Sequence, residues 1–110
     1  IDYEGSCALD TNFIHAANMT EYEKVEIYNV TNGERFSTYL IAAEAGSKTV
    51  SINGAAAHKA SPEDIIIICS YVSMHEDQML NHKPTLVYFD ETNEIVDIKS
   101  SIPTQRIRSL

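Results

Sequence analysis

Residues 24–42 read KVEIYNVTNGERFSTYLIA, and this stretch predicts a β-hairpin. Polar and apolar side chains alternate with period two over 24–30, which is typical of a half-buried strand. The dipeptide Asn32-Gly33 follows and favours a tight hairpin turn, because both residues tolerate a positive φ. Residues 35–42 include aromatic and β-branched types and are predicted to form the returning strand.

Short apolar segments of similar length recur after this hairpin, with turn-forming residues between them. Strands at this spacing, together with only short helices, are typical of a small β-barrel or sandwich. Further strands are predicted at 49–52, 65–72, 86–89 and 94–99. A short helix is predicted over 7–18, one helical turn at 55–58, and a short helix or loop at 74–80.

The balance of charge limits the classes of partner. The chain has 110 residues, with 8 Lys and Arg against 16 Asp and Glu, which gives a formal net charge of −8 at pH 7. This length predicts one domain over residues 1–110, with 100–110 as an exposed, flexible tail of low apolar content. The excess of acid argues against binding to nucleic acid or to an anionic membrane.

The cysteines and histidines predict neither a metal site nor a disulfide. Cys7 and Cys69 stand far apart in sequence, outside any metal-ligand spacing, and are expected to be unpaired, buried thiols. The four histidines also lack the spacing of metal ligands. With no apolar run long enough to span a membrane, these features predict a soluble cytoplasmic protein.

Residues 4–7, Glu-Gly-Ser-Cys, permit two interpretations. Gly-Ser in a loop is most often an ordinary turn. If the fold strains the Gly5–Ser6 peptide, however, the Ser6 hydroxyl can attack the Gly5 carbonyl and form an ester. β-Elimination and hydrolysis then leave a pyruvoyl group at a new N-terminus. Glycine suits the first position because it tolerates unusual backbone angles and leaves its carbonyl accessible.

The predicted strand after Gly33 carries a second candidate. Arg35, Ser37 and Tyr39 would share one face of that strand, and Phe36 and Thr38 the other. Taken alone, this is an ordinary hairpin with an exposed arginine. As a site, Arg35 could bind a carboxylate through two hydrogen bonds, and Tyr39 could donate a proton to a carbanion.

The third candidate is the small-residue segment 50–57, which reads VSINGAAA. A strand that ends in Asn53-Gly54 and leads into a helical turn exposes several backbone N–H groups. Small side chains then let an anionic ligand approach these groups closely. The alternative is a tight turn packed by alanine.

Together the three motifs resemble the aspartate 1-decarboxylase family, and their order and spacing agree over roughly the first 90 residues. The resemblance implies a six-stranded double-ψ β-barrel that assembles as a homotetramer, with active sites between subunits. It implies conversion of L-aspartate to β-alanine and CO₂ for pantothenate biosynthesis, through a Schiff base with a covalent pyruvoyl group. The resemblance rests on three segments: Tyr3-Glu4-Gly5-Ser6, the run from Asn29 to Tyr39, and Asn53-Gly54-Ala55-Ala56-Ala57.

The resemblance also implies a role for each matching residue. Ser6 would become the pyruvoyl group after cleavage of the Gly5–Ser6 bond, and Tyr39 would be the proton donor. The implied substrate contacts are Arg35, Thr38, Gly54, Ala55 and Ala56. The residues implied in processing or in lining the site are Tyr3, Gly5 and Asn53, with Thr38 serving processing as well.

The segment before Ser6 keeps other interpretations open. Roughly 19 residues precede the Tyr-x-Gly-Ser segment in the family, with a Lys and a His that reach the active site, and this chain is expected to lack them. The alternatives are therefore an unprocessed or inactive proenzyme, or a non-enzymatic barrel that binds a small ligand or a protein.

Overall fold

The computed structural model describes residues 5–106 and is mainly β, with a few short helices. It divides into two units, of which the first ends at Ser73 and the second begins at Met74. The strands are β1 (Ser6–Asp10), β2 (Lys24–Asn29), β3 (Arg35–Ala43), β4 (Val50–Asn53), β5 (Ile66–Cys69), β6 (Leu86–Phe89) and β7 (Ile95–Lys99). The helices are α1 (Thr11–Ala16), a 3₁₀ helix (Gly54–Lys59) and α2 (Glu76–Met79).

The first unit is built on one five-stranded sheet, curled like half of a barrel, in the order β4-β1-β3-β2-β5. Strand β3 lies at its centre and is the longest. Its residues 35–39 pair antiparallel with β2, and its residues 40–43 pair parallel with β1. Strand β4 pairs antiparallel with β1, and β5 pairs antiparallel with β2. One strand therefore connects the two halves of the sheet.

The core of the first unit comes from alternate positions of three strands. Val25 and Ile27 of β2 are almost fully buried, as are Leu40 of β3 and both Cys7 and Leu9 of β1. Buried side chains of this size dominate the free energy of folding at roughly 1.5–3 kcal/mol each. Cys7 is a free thiol within this core, and burial raises its pKa to about 11. Cys69 is also free but only half-buried, so the unpaired state predicted for both thiols is confirmed.

The hairpin predicted from 24–42 is confirmed. Strands β2 and β3 pair from Lys24–Tyr39 to Tyr28–Arg35, and Gly33 takes a φ of +81° in the connecting turn. The pairing also places Arg35, Ser37 and Tyr39 on one face, as the period-two pattern predicted.

The helix predicted over 7–18 is wrong in its first half. Residues 6–10 form β1, and α1 begins only at Thr11. Four of the five residues of β1 are buried, so both faces of the strand are covered and no polar alternation marks it as a strand. Leu9 belongs to the buried strand, whereas Phe13 and Ile14 belong to the short helix that follows it. Their helical spacing in the sequence is therefore a coincidence.

The second unit contains α2 and the antiparallel pair β6–β7, whose register shifts between Tyr88 and Phe89. The strands predicted at 86–89 and 94–99 are confirmed, and the segment predicted as a short helix or loop holds a helix of one turn. Residues 101–106 are exposed and carry no regular structure. None of the helices in the described range 5–106 is long and apolar enough to cross a membrane.

Asp10 joins β1, α1 and the loop before β4. Its buried carboxylate accepts hydrogen bonds from the backbone N–H groups of Asn12 (2.7 Å), Lys48 (2.8 Å) and Gly46 (3.2 Å). Burial alone would raise the pKa of this carboxyl. The three N–H groups stabilise the charged form more strongly, so the pKa lies below its ordinary value.

We predict that Asp10→Asn lowers the free energy of unfolding at pH 7 by about 2 kcal/mol, since one amide oxygen replaces a charged pair of acceptors. A lowered folded-state pKa stabilises the fold above the unfolded pKa of about 4, and this contribution is lost as the pH falls through the folded pKa. Urea denaturation of wild type and Asp10→Asn at pH 7 and below pH 3 measures the two free energies of unfolding.

The difference between wild type and variant should shrink at the lower pH. Asp97→Asn, which changes an exposed aspartate, is the matched control and should change stability little. A difference for Asp10→Asn that stays constant with pH would contradict this role of the carboxylate.

Candidate active site

Gly5 occupies a position that only glycine fits. It is buried and has a φ of +86°, a conformation that side-chain-bearing residues rarely adopt. A Cβ atom there would overlap the backbone carbonyl oxygen of Asn53 and lie 3.1 Å from both Cβ and N of Ala56. The segment after β4 therefore packs directly on the Gly5–Ser6 peptide.

Ser6 begins β1 and is 1% exposed. It pairs with Asn53 across the β1–β4 ladder, and the Asn53 side-chain amide donates a hydrogen bond to Ser6 Oγ at 3.3 Å. The other end of the same amide accepts a hydrogen bond from Ser51 Oγ at 3.0 Å, which fixes its orientation. Ser6 Oγ therefore accepts a hydrogen bond from a side chain of fixed orientation, and its own proton is left for a further hydrogen bond or for transfer.

The small-residue segment predicted as a candidate anion site lies beside Ser6. Asn53 has an extended backbone, Gly54 has a φ of +67°, and the 3₁₀ helix begins at Gly54. Ala56 is buried against Gly5, whereas Ala55 is exposed. Backbone N–H groups at the start of this turn have no partner within a regular helix, and the small side chains leave room for a ligand.

Tyr39 and Thr38 belong to β3, the strand that pairs with β1 on the side away from β4. Cys7 pairs with Leu40 in the parallel β1–β3 ladder, and continuing this register by one residue brings Tyr39 level with Ser6. Thr38 is 7% exposed, and its Oγ1 has no hydrogen-bond partner within residues 5–106. A buried hydroxyl without a hydrogen-bond partner lowers the stability of the fold. Such a group calls for an explanation, and a role in processing or in substrate binding would supply one.

Arg35 is not brought to Ser6 within one chain. It lies four residues before Tyr39 on β3, which is about 13 Å along an extended strand. Its guanidinium carbon stands 4.5 Å from the centre of the Tyr28 ring. The first unit therefore brings Gly5, Ser6, Asn53 and the backbone around Ala56 into contact and holds Arg35 at a separate place. Tyr3 lies outside the described residues.

Asn29 is a buried residue whose role the sequence patterns did not reveal. Its side-chain N–H₂ donates to the Lys59 carbonyl (3.0 Å) and to Asp64 Oδ2 (2.8 Å), and its oxygen accepts from the N–H groups of Thr31 and Asn32. The hydrogen bond from Asn29 and another from the Ser61 N–H lower the pKa of Asp64. The available signal was an asparagine at an apolar position of an alternating strand.

These contacts define what the site can do chemically. A serine hydroxyl, which accepts a hydrogen bond from an amide and is excluded from bulk water, stands next to the peptide bond that joins it to a closely packed glycine. A phenol level with it could supply a proton. Within residues 5–106, no three or more His, Cys, Asp or Glu side chains are grouped so that they could hold a metal ion. The arrangement suits an internal rearrangement at Gly5–Ser6 followed by chemistry at the new terminus.

Comparison with known proteins gives one consistent result. A family model described as "Aspartate decarboxylase" matches residues 1–96. Among similar proteins, the aspartate 1-decarboxylase of Tolumonas auensis is 54% identical over 105 residues, covering 96% of this chain and 83% of that protein. The aspartate 1-decarboxylase of Hydrogenovibrio crunogenus is 52% identical over 105 residues, covering 96% and 81%. This chain therefore belongs to the aspartate decarboxylase family.

Proposed function

We propose that this protein decarboxylates L-aspartate to β-alanine and CO₂, with a pyruvoyl group made from its own Ser6. The observation that carries the proposal is the Gly5–Ser6 junction, where a buried serine hydroxyl adjoins a glycine in a conformation closed to other residues. Family membership supports the reaction, since the relatives at about 50% identity are named aspartate 1-decarboxylase. A cytoplasmic location and a place in pantothenate biosynthesis belong to the same proposal.

Processing would begin at Ser6. Its Oγ attacks the Gly5 carbonyl carbon, and the peptide nitrogen leaves as an amine, so the amide becomes an ester. β-Elimination then releases Gly5 as a carboxylate, and water replaces the nitrogen at residue 6 with loss of ammonia. Burial of both residues favours this internal attack over hydrolysis by bulk water. Asn53 Nδ2 holds the hydroxyl oxygen in place, and Thr38 Oγ1 is an uncommitted donor in the neighbouring strand.

The residues around Ser6 fit the group that processing would leave. No side chain fits at Gly5, and the adjoining residues of 53–56 are small apart from Asn53. When formed, the pyruvoyl group supplies an electrophilic carbonyl that holds the substrate amine and accepts the electrons released with CO₂. The backbone N–H groups of Gly54, Ala55 and Ala56 would bind one substrate carboxylate, and Arg35 the other. Tyr39 would deliver the proton to the substrate carbon that has lost CO₂.

A second copy of the chain would complete the site. Arg35 is separated along β3 from the Ser6 end, although both are proposed to contact one four-carbon substrate. Because the carboxylates of aspartate lie only a few ångströms apart, Arg35 from a neighbouring subunit is the simplest source of the clamp. The separation supports active sites shared between two subunits, and we propose that the assembly is a homotetramer. We propose that each subunit has the six-stranded double-ψ barrel, of which the curled five-stranded sheet is the larger part.

The direct test measures β-alanine and CO₂ formed from L-aspartate by the purified full-length protein without pyridoxal phosphate. Activity is expected in wild type and in the matched control Ser47→Ala, an exposed serine in a turn. Ser6→Ala should show neither cleavage nor turnover, because it lacks the attacking oxygen. An active Ser6→Ala protein would contradict the pyruvoyl mechanism. A folded, uncleaved and inactive wild type would instead favour the unprocessed proenzyme.

Gly5→Ala tests the close packing at the Gly5–Ser6 junction. We predict a loss of cleavage and a decrease in stability of about 2–4 kcal/mol, since the new methyl group collides with the Asn53 carbonyl. Gly46→Ala is the matched control, because Gly46 has a φ of +85° but nothing within 4 Å of an added Cβ. It should lose only about 1 kcal/mol and still be cleaved. Equal effects of the two substitutions on cleavage would refute the role of close packing.

Tyr39→Phe separates processing from turnover. We predict that the chain is still cleaved but that kcat falls by about 100-fold or more, since general acid catalysis contributes factors of this size. Gel electrophoresis under denaturing conditions and β-alanine assays measure the two effects. Tyr22→Phe, which changes a 72% exposed tyrosine, should leave both unchanged. If Tyr39→Phe keeps full turnover, Tyr39 is not the proton donor.

A further inference from the structure

Tyr28, Arg35 and Tyr71 form a connected cluster on one side of the sheet. Tyr28 and Arg35 are paired across β2 and β3, so their side chains share a face. The Arg35 guanidinium carbon lies 4.5 Å from the centre of the Tyr28 ring, and the Tyr28 hydroxyl lies 2.7 Å from the Tyr71 hydroxyl. The sequence motifs account for Arg35 alone, so the two tyrosines require a separate explanation.

The N–H groups of Arg35 are available to a ligand. An arginine over an aromatic ring uses the charged carbon and its face for the cation–π contact, which leaves other N–H donors for hydrogen bonds. No carboxylate within residues 5–106 forms an ion pair with Arg35. The adjacent Glu34 pairs with Lys59 at 3.2 Å, and Glu26 accepts a hydrogen bond from Ser37 at 2.6 Å. Arg35 is therefore an exposed cation whose position is set by an aromatic ring.

Tyr71 in turn restrains Tyr28. It follows β5, the strand that pairs with β2 on the side away from β3. The hydrogen bond to Tyr28, with a smaller contribution from burial, raises the pKa of Tyr71 to about 12. Two successive contacts therefore link β3, β2 and the residues after β5. The Arg35 guanidinium lies over the Tyr28 ring, and the Tyr28 hydroxyl is hydrogen-bonded to the Tyr71 hydroxyl.

We propose that Tyr28 and Tyr71 are positioning residues for substrate, which hold the Arg35 guanidinium so that it binds one carboxylate of a four-carbon dicarboxylate. This inference rests on the proposed function, in which Arg35 contacts the substrate. It adds that the Tyr28 ring fixes where the guanidinium stands and that the Tyr71 hydroxyl fixes the ring. A fixed clamp selects for the distance between two carboxylates, so it also favours aspartate over longer dicarboxylates.

The first test compares KM and kcat for L-aspartate in the processed, full-length protein. Tyr28→Leu removes the ring and should raise KM about 5- to 20-fold, with little change in kcat. Tyr28→Trp should return KM to within about threefold of wild type, since indole offers the strongest cation–π surface. Tyr88→Leu is the matched control because it removes the ring beneath Lys99, at 5.2 Å, and should leave KM unchanged.

A purely structural role for Tyr28 predicts a different result. Loss of packing would lower the processed fraction and kcat, and tryptophan would not restore KM. An unchanged KM in Tyr28→Leu, or a fall in kcat alone, would overturn the inference.

The second test asks whether the tyrosines act through Arg35. Tyr71→Phe should raise KM about two- to fivefold, the size expected for one hydrogen bond, and Tyr28→Phe should match it. The double variant Tyr28→Phe/Tyr71→Phe should equal either single one, because all three lack the same contact. In an Arg35→Ala background, Tyr28→Leu should lower kcat/KM no further. The inference would be overturned if the KM effects of Tyr28→Phe and Tyr71→Phe multiplied in the double variant, or if Tyr28→Leu lowered kcat/KM further in the Arg35→Ala background.

Binding of succinate separates this inference from the proposed function. Succinate has the two carboxylates of aspartate without the amine, so calorimetry with the Ser6→Ala protein measures the clamp without turnover. Tyr28→Leu should weaken succinate binding about 5- to 20-fold and reduce the preference for succinate over glutarate. If wild type lacks activity but shows this dependence, the proposed function fails and the clamp stands. Succinate binding that is indifferent to Tyr28 overturns the clamp, whatever the activity.

Discussion

The contact between Gly5 and the Asn53 carbonyl is the constraint on which the candidate site depends. It requires a residue without a side chain at position 5, holds that residue at a positive φ, and aligns Ser6 opposite Asn53 in the β1–β4 ladder. The same packing buries the Ser6 hydroxyl and gives it one side-chain donor. A peptide bond that would be an ordinary turn elsewhere is thereby placed where its own serine is the nearest nucleophile and bulk water has little access.

Strand β3 distributes the chemistry along the sheet. Its middle, at Thr38 and Tyr39, lies beside the start of β1, whereas Arg35 at its beginning pairs with Tyr28 of β2. The strand therefore contributes to two places in the fold: one beside Ser6, where we propose that the reactive group forms, and one at Arg35, which we propose binds a carboxylate. This division is the reason for proposing a neighbouring subunit, since about 13 Å of extended strand separates Arg35 from the Ser6 end. It also explains why the cluster around Arg35 has its own supports, which reach to Tyr71 after β5.

Much of the fold could be predicted from the sequence, because β2 and β3 alternate with period two and Asn32-Gly33 has strong turn chemistry. Strand β1 could not, because a strand covered on both sides has no alternation, and its apolar residues run into α1 at helical spacing. Gly5, Ser6 and Asn53 became candidates through their motifs and the resemblance, and only the structure shows that Asn53 contacts both Gly5 and Ser6. The Tyr28–Tyr71 hydrogen bond joins residues 43 positions apart, and no local pattern encodes such a contact.

The central claim is that Ser6 reacts with the Gly5 carbonyl and becomes a ketone, and mass spectrometry of the denatured protein tests it most directly. The account predicts two fragments that separate between Gly5 and Ser6. The C-terminal fragment should be lighter by one ammonia than simple hydrolysis would leave it, and borohydride should add two hydrogens to it. A single intact chain that still forms β-alanine from L-aspartate, or a C-terminal fragment that begins with unmodified serine and does not react with borohydride, would contradict it.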